Sequence, residues 1–294
     1  MTPAGVLVID KPRGPTSHDV VARVRRALKT REVGHAGTLD PMATGVLVVA
    51  VGEATKLVPW LTAHEKAYRT TIRLGVATSS LDAEGTVVES VAVPDDAFDR
   101  LEEALAAERA RSEQIPPAVS AIKIDGVAAH ARVRRGETLE LPPRAVAVHD
   151  LTVLGVRREA HEIDLEIRCA KGYYVRSLAR DLAERLGTVG HLTMLRRTAS
   201  GPFGLDEAVA LDAPDLAEHL LPLTRAAART LGTVTLTDEG AIRAGHGKKL
   251  FAEHFVEGLL DGPRAWIHGE RLVAVGQRVG DLAEVVRGFR VPVS

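Results

Sequence analysis

Residues 34–45 combine one acidic side chain with the backbone chemistry of a tightly specified loop. The run Gly-His-Ala-Gly-Thr-Leu-Asp-Pro-Met-Ala-Thr-Gly holds three glycines and one proline, and Asp40 is its only acid. Glycine and proline at this density are typical of a loop with fixed geometry. Pro41 restricts Asp40 to an extended backbone, which favours an outward-facing carboxylate that is available for chemistry. The alternative is an Asp-Pro turn in which the side chain bonds its own backbone.

Several widespread catalytic patterns are absent from the sequence. It contains no GxGxxG, HExxH or GxSxG run. Gly247-Lys248 resembles part of a phosphate loop, but Ile242 stands where that pattern needs a glycine. No pair among the 11 histidines has ligand spacing with a carboxylate on the same element. We therefore expect no metal ion.

Apolar runs on both sides of the loop predict the strands that hold it. Residues 5–9 and 45–51 indicate buried strands, and residues 68–74 alternate like a strand with one buried face. Further strands are predicted at 87–93, 145–156 and 163–169. Strands and helices interleave without a regular βαβ count, which favours an α/β (α+β mixed sheet) fold.

Three helices are predicted from apolar periodicity and end signals. The first begins at Ser17 as N-cap and runs to about Thr30, with a basic face opposite its apolar stripe. An acidic helix opens at Asp95 and turns Phe98, Leu101 and Leu105 inward. The third covers Arg176–Leu186 and ends at Gly187.

The second half of the chain differs from the first in its proline content and in its predicted elements. Residues 114–144 are rich in proline and predict an excursion with a short helix around Ala128–Arg135. Residues 202–232 indicate a helical, linker-like stretch. Beyond about residue 230, short strands and a hairpin near Gly269 predict a small β-rich domain. The proposed division is a domain of residues 1–228 and a second of residues 229–294.

Charge and composition limit the classes of protein. The net charge is −1, but residues 11–35 and residues 168–197 each hold seven Lys/Arg and two acids, whereas residues 81–113 hold ten acids and three Arg. Either one positive face or separate solvated helix faces would give this pattern. The single cysteine excludes a disulfide framework and fits a reducing cytoplasm. No apolar run reaches 18 residues and the start lacks a basic signal region, so we expect neither a membrane span nor a signal peptide.

Several sequence blocks, taken together and in order, resemble the bacterial TruB-type tRNA pseudouridine synthases. The blocks are GVLVIDKP at 5–12, Thr16-Ser17, the loop 35–45, GEATK at 52–56, KAY at 66–68, KGYYVR at 171–176 and 191–202 with its LRRTASGP end. They extend from residue 5 to about 204. The tail beyond about 230 only resembles the small PUA-like domain that family members often carry.

The resemblance implies a reaction. Uridine 55 in the T-loop of tRNA becomes pseudouridine: the N-glycosidic bond breaks, the uracil turns while held, and a carbon–carbon bond forms. Every atom is kept, so no redox cofactor, nucleotide or metal is needed. The implied partner is the T-arm of tRNA, and the family suggests a cytoplasmic monomer that needs no obligatory protein partner.

The resemblance also assigns residues. Asp40 falls on the family's catalytic aspartate, and Arg176 falls on the cation that keeps this carboxylate charged and in place. Tyr68 matches the tyrosine that stacks on the extruded base, and Tyr174 matches a pocket tyrosine. On its strand pattern alone, Tyr68 fits a core position equally well. Tyr173 is left out of the predicted site.

The remaining matches concern the pocket wall and the RNA. Leu195 matches an apolar pocket residue and His35 a loop histidine that contacts RNA, while Lys11, Lys56 and Lys66 match lysines near the cleft and are expected to reach phosphates. One departure is that residues 126–130 read Gly-Val-Ala-Ala-His, where the family usually has Gly-Lys-Arg-Ala-Tyr. Arg132, Arg134 and Arg135 are the candidates to replace that charge.

Three alternatives stay open at this point. One is the guide-RNA-dependent relative, which works in a particle with partner proteins. Another is an RNA-folding factor whose catalytic act is dispensable. The third is a small-molecule α/β enzyme, which predicts no tRNA binding and no steep dependence on salt.

Overall fold

The computed structural model describes residues 4–119 and 141–290, and between them residues 123–124, 127–128, 132, 135, 137 and 139. The described strands are, in chain order, β1 (Gly5–Lys11), β2 (Val33–His35), β3 (Thr44–Val51), β4 (Lys66–Leu74), β5 (Val76–Thr78), β6 (Val87–Ser90), β7 (Glu113–Gln114), β8 (Lys123–Ile124), β9 (Val127–Ala128), β10 (Arg144–Ala145), β11 (Val148–Arg157), β12 (Glu162–Cys169), β13 (Gly190–Ser200), β14 (Phe203–Gly204), β15 (Val209–Ala210), β16 (Leu221–Pro222), β17 (Thr233–Thr235), β18 (Pro263–His268), β19 (Arg271–Val279) and β20 (Leu282–Gly288).

The described α-helices are α1 (Ser17–Ala27), α2 (Val58–Ala63), α3 (Leu101–Arg109), α4 (Val175–Arg185), α5 (Leu223–Leu231) and α6 (Asp238–Gly245). Short 3₁₀ helices cover Gly52–Leu57, Leu205–Glu207 and Ala252–His254. None of the helices in the described part of the chain is long and apolar enough to cross a membrane.

A large mixed sheet forms the centre of the molecule. Its strand order is β11-β12-β4-β13-β3-β1-β15, with β2, β14 and β16 attached to β3, β13 and β1. β13 runs parallel to β3 and β1 runs parallel to β15, whereas the other pairs along this order are antiparallel. This mixture confirms the predicted α/β (α+β mixed sheet) class.

Both faces of the sheet are covered. On one face, helices α1, α3 and α4 bury an apolar cluster that includes Leu7, Val24, Leu105 and Leu178. The opposite face packs against α5 and the C-terminal strands, where Val48 and Phe289 belong to one cluster. Because both of their faces are buried, β1 and β3 read as continuous apolar runs rather than alternating ones.

The predicted helices are confirmed with shifts at their ends. The first helix begins after Thr16, not Ser17, because the Thr16 side chain accepts the Asp19 amide and Asp19 accepts the Thr16 amide. The acidic helix begins at Leu101 rather than Asp95, and the third helix covers Val175–Arg185.

The prediction for residues 202–232 was wrong over most of its length. Only Leu223–Leu231 is an α-helix, and short strands precede it. Two of these strands pair with the edge of β1 that β3 leaves free. The sequence of β1 does not indicate which later segment of the chain pairs with this edge. The predicted helix at Ala128–Arg135 and the atypical run 126–130 fall on a stretch that lies largely outside the described residues.

A four-stranded sheet in the order β17-β18-β19-β20 confirms the predicted β-rich C-terminal part and its hairpin at Gly269, where φ is 56°. The boundary between residues 228 and 229 stays a prediction. It falls inside helix α5, which packs against both sheets. The likeness of this part to a PUA domain also stays a prediction.

Candidate active site

The loop that carries Asp40 is fixed from several directions. The Ser17 hydroxyl, at the start of α1, donates to the Leu39 carbonyl (3.1 Å) and accepts from the Leu39 amide (2.8 Å). The Ala43 amide donates to the Asp40 carbonyl (3.1 Å), and the Gly14 amide donates to the Pro41 carbonyl (2.9 Å). These bonds tie the loop to α1 and to the turn after β1.

The Asp40 carboxylate faces the guanidinium of Arg176 in a two-point ion pair. Arg176 Nε lies 2.9 Å from Asp40 Oδ2, and Arg176 Nη2 donates to Asp40 Oδ1 at 3.2 Å. The Arg176 side chain is 6% exposed, whereas Asp40 keeps 33% of its surface open. The carboxylate is thus held by the arginine on one side and open on the other, unlike the self-bonded turn that was the alternative.

Arg176 is itself held by groups from other segments. Its Nη1 donates to the Ser80 carbonyl (2.8 Å) and its Nη2 to the Val119 carbonyl (2.9 Å). The buried carboxylate of Asp82 lies 3.8 Å from Nε. A guanidinium with this many fixed acceptors has one orientation, so it presents a planar fork to Asp40.

A cleft of about 320 Å³ opens in front of this pair. Its walls come from the Asp40 loop, from β4, from β13 and from the turn that precedes α4. The residues that line it are Gly37, Thr38, Leu39, Asp40, Thr62, Lys66, Tyr68, Ala170, Lys171, Gly172, Tyr173, Tyr174, Val175, Arg176, Leu195 and Arg197.

Tyr68 lies half-buried on β4 and lines the cleft, so its ring faces the place where a substrate would sit. Burial raises the pKa of its phenol, and the nearby charge of Arg197 opposes that rise. The hydroxyl is therefore protonated and stays a hydrogen-bond donor at neutral pH.

The two neighbouring tyrosines before α4 differ in role. Tyr174 is half-buried, lines the cleft, and is clamped through its backbone by Gln114, whose amide bonds both the Tyr174 N–H (2.8 Å) and C=O (3.1 Å). Burial raises the pKa of its phenol. Tyr173 also lines the cleft, but it is only 7% exposed and its hydroxyl donates to the buried Glu108 at 2.8 Å. Leaving Tyr173 out of the site stays a prediction.

Leu195 and His35 lie in different places. Leu195, on β13, is buried and lines the cleft. His35 ends β2 at the far side of the Asp40 loop, with its ring edge-on to His18 at 5.4 Å. Burial, with the charges of His18 and Arg197, lowers the pKa of His35, and its Nδ1 is buried without a partner in the described part of the chain.

The geometry does not support the expectation that Lys11 and Lys56 reach phosphates. Lys11 is fully buried, and its ammonium donates to the carbonyls of Pro12, Pro15 and Pro41. Lys56 pairs with Glu53 at 2.6 Å and donates to the Gly288 carbonyl at 3.2 Å. Both ammonium groups are used to join segments, which sequence spacing does not reveal.

Two buried charged residues at the site, Asp82 and Arg197, were not among the predicted residues. Lys66 was predicted as a lysine near the cleft that reaches phosphates, and the geometry does not support that role either. Lys66 is 7% exposed and donates to the carbonyls of Thr62 and His64, and burial lowers its pKa to about 8. Arg197 is 1% exposed and lines the cleft. The signal for Arg197 was the LRRTASGP block, in which two adjacent arginines on a strand must point to opposite faces.

The arrangement can receive one planar group beside a carboxylate. It offers an oriented carboxylate, a flat aromatic ring and an apolar wall in a cleft open to solvent. In the described residues, no group of three or more His, Cys, Asp or Glu side chains has the geometry of a metal site.

Comparisons with known proteins give concordant matches. A family model described as "TruB family pseudouridylate synthase (N terminal domain)" matches residues 25–175, and one described as "tRNA pseudouridylate synthase B C-terminal domain" matches residues 176–234. The chain is 47% identical to "tRNA pseudouridine synthase B" of Leifsonia xyli, over 94% of this chain and 90% of the relative. It is 52% identical to the protein of that name from Corynebacterium aurimucosum, over 84% of each chain.

Among solved structures, the chain resembles a protein in "Crystal Structure of a Cbf5-Nop10-Gar1 Complex" with a TM-score of 0.75 and 25% identity, covering 98% of this chain and 86% of the other. A second match, with a TM-score of 0.74 and 25% identity, is "Structure of H/ACA RNP bound to a substrate RNA containing 2'-deoxyuridine". It covers 99% of this chain and 86% of the other.

Proposed function

The chain belongs to the TruB family of pseudouridylate synthases, and from this premise we propose that it isomerises uridine 55 in the T-loop of tRNA to pseudouridine. The observation that carries the proposal is the Asp40 carboxylate, gripped at two points by Arg176 at the mouth of a cleft that Tyr68 lines. This is the ionised and oriented group that the chemistry needs beside a sugar and a base.

The reaction keeps all the atoms of the nucleotide. The bond between N1 of uracil and C1′ of the ribose breaks, the uracil turns within the cleft, and its C5 bonds to C1′. The proton on C5 leaves, and N1 gains one. Asp40 acts at the sugar or the base as a nucleophile or as a general base, and Arg176 keeps its carboxylate charged and fixed.

The cleft explains how a base is received. A nucleotide in a folded loop must leave its stack at a cost of a few kcal/mol. Stacking on an aromatic side chain returns about 1–3 kcal/mol per base, and Tyr68 offers such a ring. Leu195 and Tyr174 form the adjoining walls and restrict the turning uracil to the plane of the cleft.

We propose that the protein acts as a monomer on tRNA in the cytoplasm, without an obligatory protein partner. The bacterial relatives that cover most of the chain are named for tRNA, whereas the structural neighbours are solved in assemblies with other proteins. A guide-dependent enzyme is therefore the second candidate, and it predicts activity only after partners are added.

The test is pseudouridine formation by the purified protein on an unmodified tRNA transcript, mapped by position. A matched transcript with cytidine at position 55 is the control. We expect conversion at position 55 of the first transcript and none elsewhere in either. Tight binding without conversion would contradict stand-alone catalysis, and conversion at another uridine would contradict the assigned position.

A further inference from the structure

Arg197 is a buried cation that the reaction described above does not use. It lies on β13 and is 1% exposed. Its guanidinium donates to three backbone carbonyls: Nε to Val46 (2.6 Å), Nη2 to Gly37 (3.1 Å) and Nη1 to Thr38 (3.4 Å). In the described part of the chain it has no carboxylate partner.

The three carbonyls bracket the loop that carries Asp40. Gly37 and Thr38 precede Asp40 in the chain, and Val46 follows it in β3. One rigid planar group therefore fixes the entry and the exit of the loop relative to each other. A planar fork does this with a defined angle, because its N–H groups cannot rotate independently.

The backbone of Arg197 also contacts the same loop, at Gly45. Arg197 pairs with Gly45 between the parallel strands β13 and β3. Gly45 has φ of +99°, and a Cβ added there would lie 2.1 Å from the Arg197 carbonyl oxygen. The strand and the loop thus approach as closely as glycine allows, so the loop is seated directly on β13.

The position of the charge rules out a direct role in holding RNA on the surface. Arg197 lines the inner wall of the cleft. Burial, with a smaller contribution from the charge of Arg197, lowers the pKa values of Lys11 and Lys66, whose ammonium groups are also bound to carbonyls. Burying an unpaired cation among other cations is unfavourable, so a structural bond alone would be better made by an uncharged side chain.

We propose that Arg197 is a positioning residue for the isomerisation. It fixes the path of residues 37–46, and this path sets the distance from the Asp40 carboxylate to the Arg176 guanidinium and to the substrate. This inference rests on the proposed function. It assigns Arg197 to the backbone of the loop, and Arg176 to the carboxylate itself.

The decisive variant is R197K. A lysine keeps the charge and much of the length but lacks the planar fork, so it cannot hold the three carbonyls at fixed angles. We expect kcat to fall about 100-fold, as a misplacement near 1 Å does. We expect KM and the Kd for tRNA to change less than threefold, because Arg197 is shielded from solvent.

The matched control is R196K, the same substitution at the next position of β13. Arg196 points to the other side and pairs with Asp10 at 2.7 Å. Its side chain bonds residues 37–46 through the Thr44 hydroxyl (3.3 Å) and not through the backbone carbonyls that Arg197 holds. We expect it to keep kcat within threefold of the unsubstituted protein. If R197K turns over as fast as R196K, or loses tRNA affinity rather than kcat, the inference is overturned.

A second variant covers a failure of R197K to fold. R197A leaves a cavity of the shape of the missing group, and added guanidinium at millimolar concentration should enter it. The kcat of R197A should then rise at least tenfold. Thermal unfolding of each variant shows whether folded protein is being assayed. Folded R197A with full activity, or with a loss that guanidinium does not reverse, counts against the inference. Inactivity of the unsubstituted protein would instead refute the proposed function.

Discussion

The Asp40 cleft and the C-terminal sheet β17–β20 bury opposite kinds of side chain. Beneath the cleft, Lys11, Lys66, Arg176 and Arg197 are all at most 7% exposed, and each is bonded to fixed carbonyls or carboxylates. The C-terminal sheet instead closes over an apolar cluster around Trp266. Its charged pairs lie at the surface, as between Lys249 and Glu284, whose side chains are 66% and 46% exposed.

The difference shows where charge is kept despite its cost. Taking a charged group out of water is unfavourable unless it is fully bonded, whereas an exposed pair contributes about 0–1 kcal/mol. We infer that the charged side chains at the cleft are retained because they fix the positions of the groups around them. The charged side chains of the C-terminal sheet contribute little beyond solubility. Substitutions in the cleft should change rate, and substitutions around the C-terminal sheet should change stability.

The largest effect is expected from D40N. The amide keeps the shape of the side chain and removes its charge, so turnover should fall by at least about 10⁴-fold. The affinity for tRNA should stay within threefold, because one carboxylate adds little to a phosphate-driven contact. Single-turnover assays and filter binding measure the two quantities, and a large loss of affinity would break the separation between chemistry and binding.

Removing the cation beside Asp40 ranks second. R176M leaves the carboxylate without its two-point partner, and kcat should fall about 10²–10³-fold. R176K keeps the charge and should recover part of the rate. Equal rates for the two variants would show that the charge of Arg176 is unimportant to turnover.

Tyr68 distinguishes stacking from a role of its hydroxyl. In Y68F the ring remains and the buried donor is lost, and we expect kcat to fall about 10²-fold. Y68L removes both and should in addition raise KM. A Y68F variant with full activity would mean that stacking alone explains this position.

The burial of Lys66 should make the free energy of unfolding depend on pH. Its pKa is lowered to about 8 by burial, against 10.5 when unfolded, so between these values the unfolded chain binds more protons. The free energy of unfolding should therefore gain up to about 1.4 kcal/mol per pH unit from this residue as pH rises from 8 to 10.5. Below pH 8 that contribution is absent, because Lys66 is then charged in both states.

The measurement is urea unfolding of the unsubstituted protein and of K66M at pH 7, 8, 9 and 10. The free energy of unfolding of the unsubstituted protein minus that of K66M should be constant below pH 8 and should increase above pH 8. A difference that does not change with pH would mean that the Lys66 ammonium is not desolvated.

The smallest effect on activity is expected at the contact between the C-terminal strand and the Gly52–Leu57 helix. Lys56 bonds Glu53 and the Gly288 carbonyl and lies 5.6 Å from the ring centroid of Phe289. K56A should lower the free energy of unfolding by about 1 kcal/mol, or Tm by about 2–4 °C. The kcat should be unchanged; a tenfold loss of kcat would contradict the contrast between the two regions.

The sequence predicts the strands and helices of this fold well where a segment carries its own pattern. β3 and α4 have uninterrupted apolar runs or caps, and their bounds agree within two residues. Residues 202–232 failed because their short strands are stabilised by pairing with β1, a contact between positions some 200 residues apart that leaves no local signature.

The site divides in the same way. The loop of Asp40 is identifiable because glycine and proline constrain it locally, and the family resemblance supplies its partner Arg176. The lysines were misjudged because their type predicts exposure, whereas three prolyl carbonyls around Lys11 make burial favourable. Arg197 was missed because three of its partners are backbone carbonyls, which the sequence does not distinguish.

The pairing of β1 has a consequence for synthesis on the ribosome. After β1 emerges, β3 soon covers one of its edges, but Ile9 pairs with Val209 and Gly5 with Pro222 on the other, about 200 residues later in the chain. At about 5–20 residues per second, that edge stays open for roughly 10–40 s. An open edge with the sequence Val-Leu-Val-Ile is a template for unwanted strand pairing. We therefore expect the yield of the protein in a cell to depend on translation speed and chaperone binding during this interval, in addition to the stability of the finished fold.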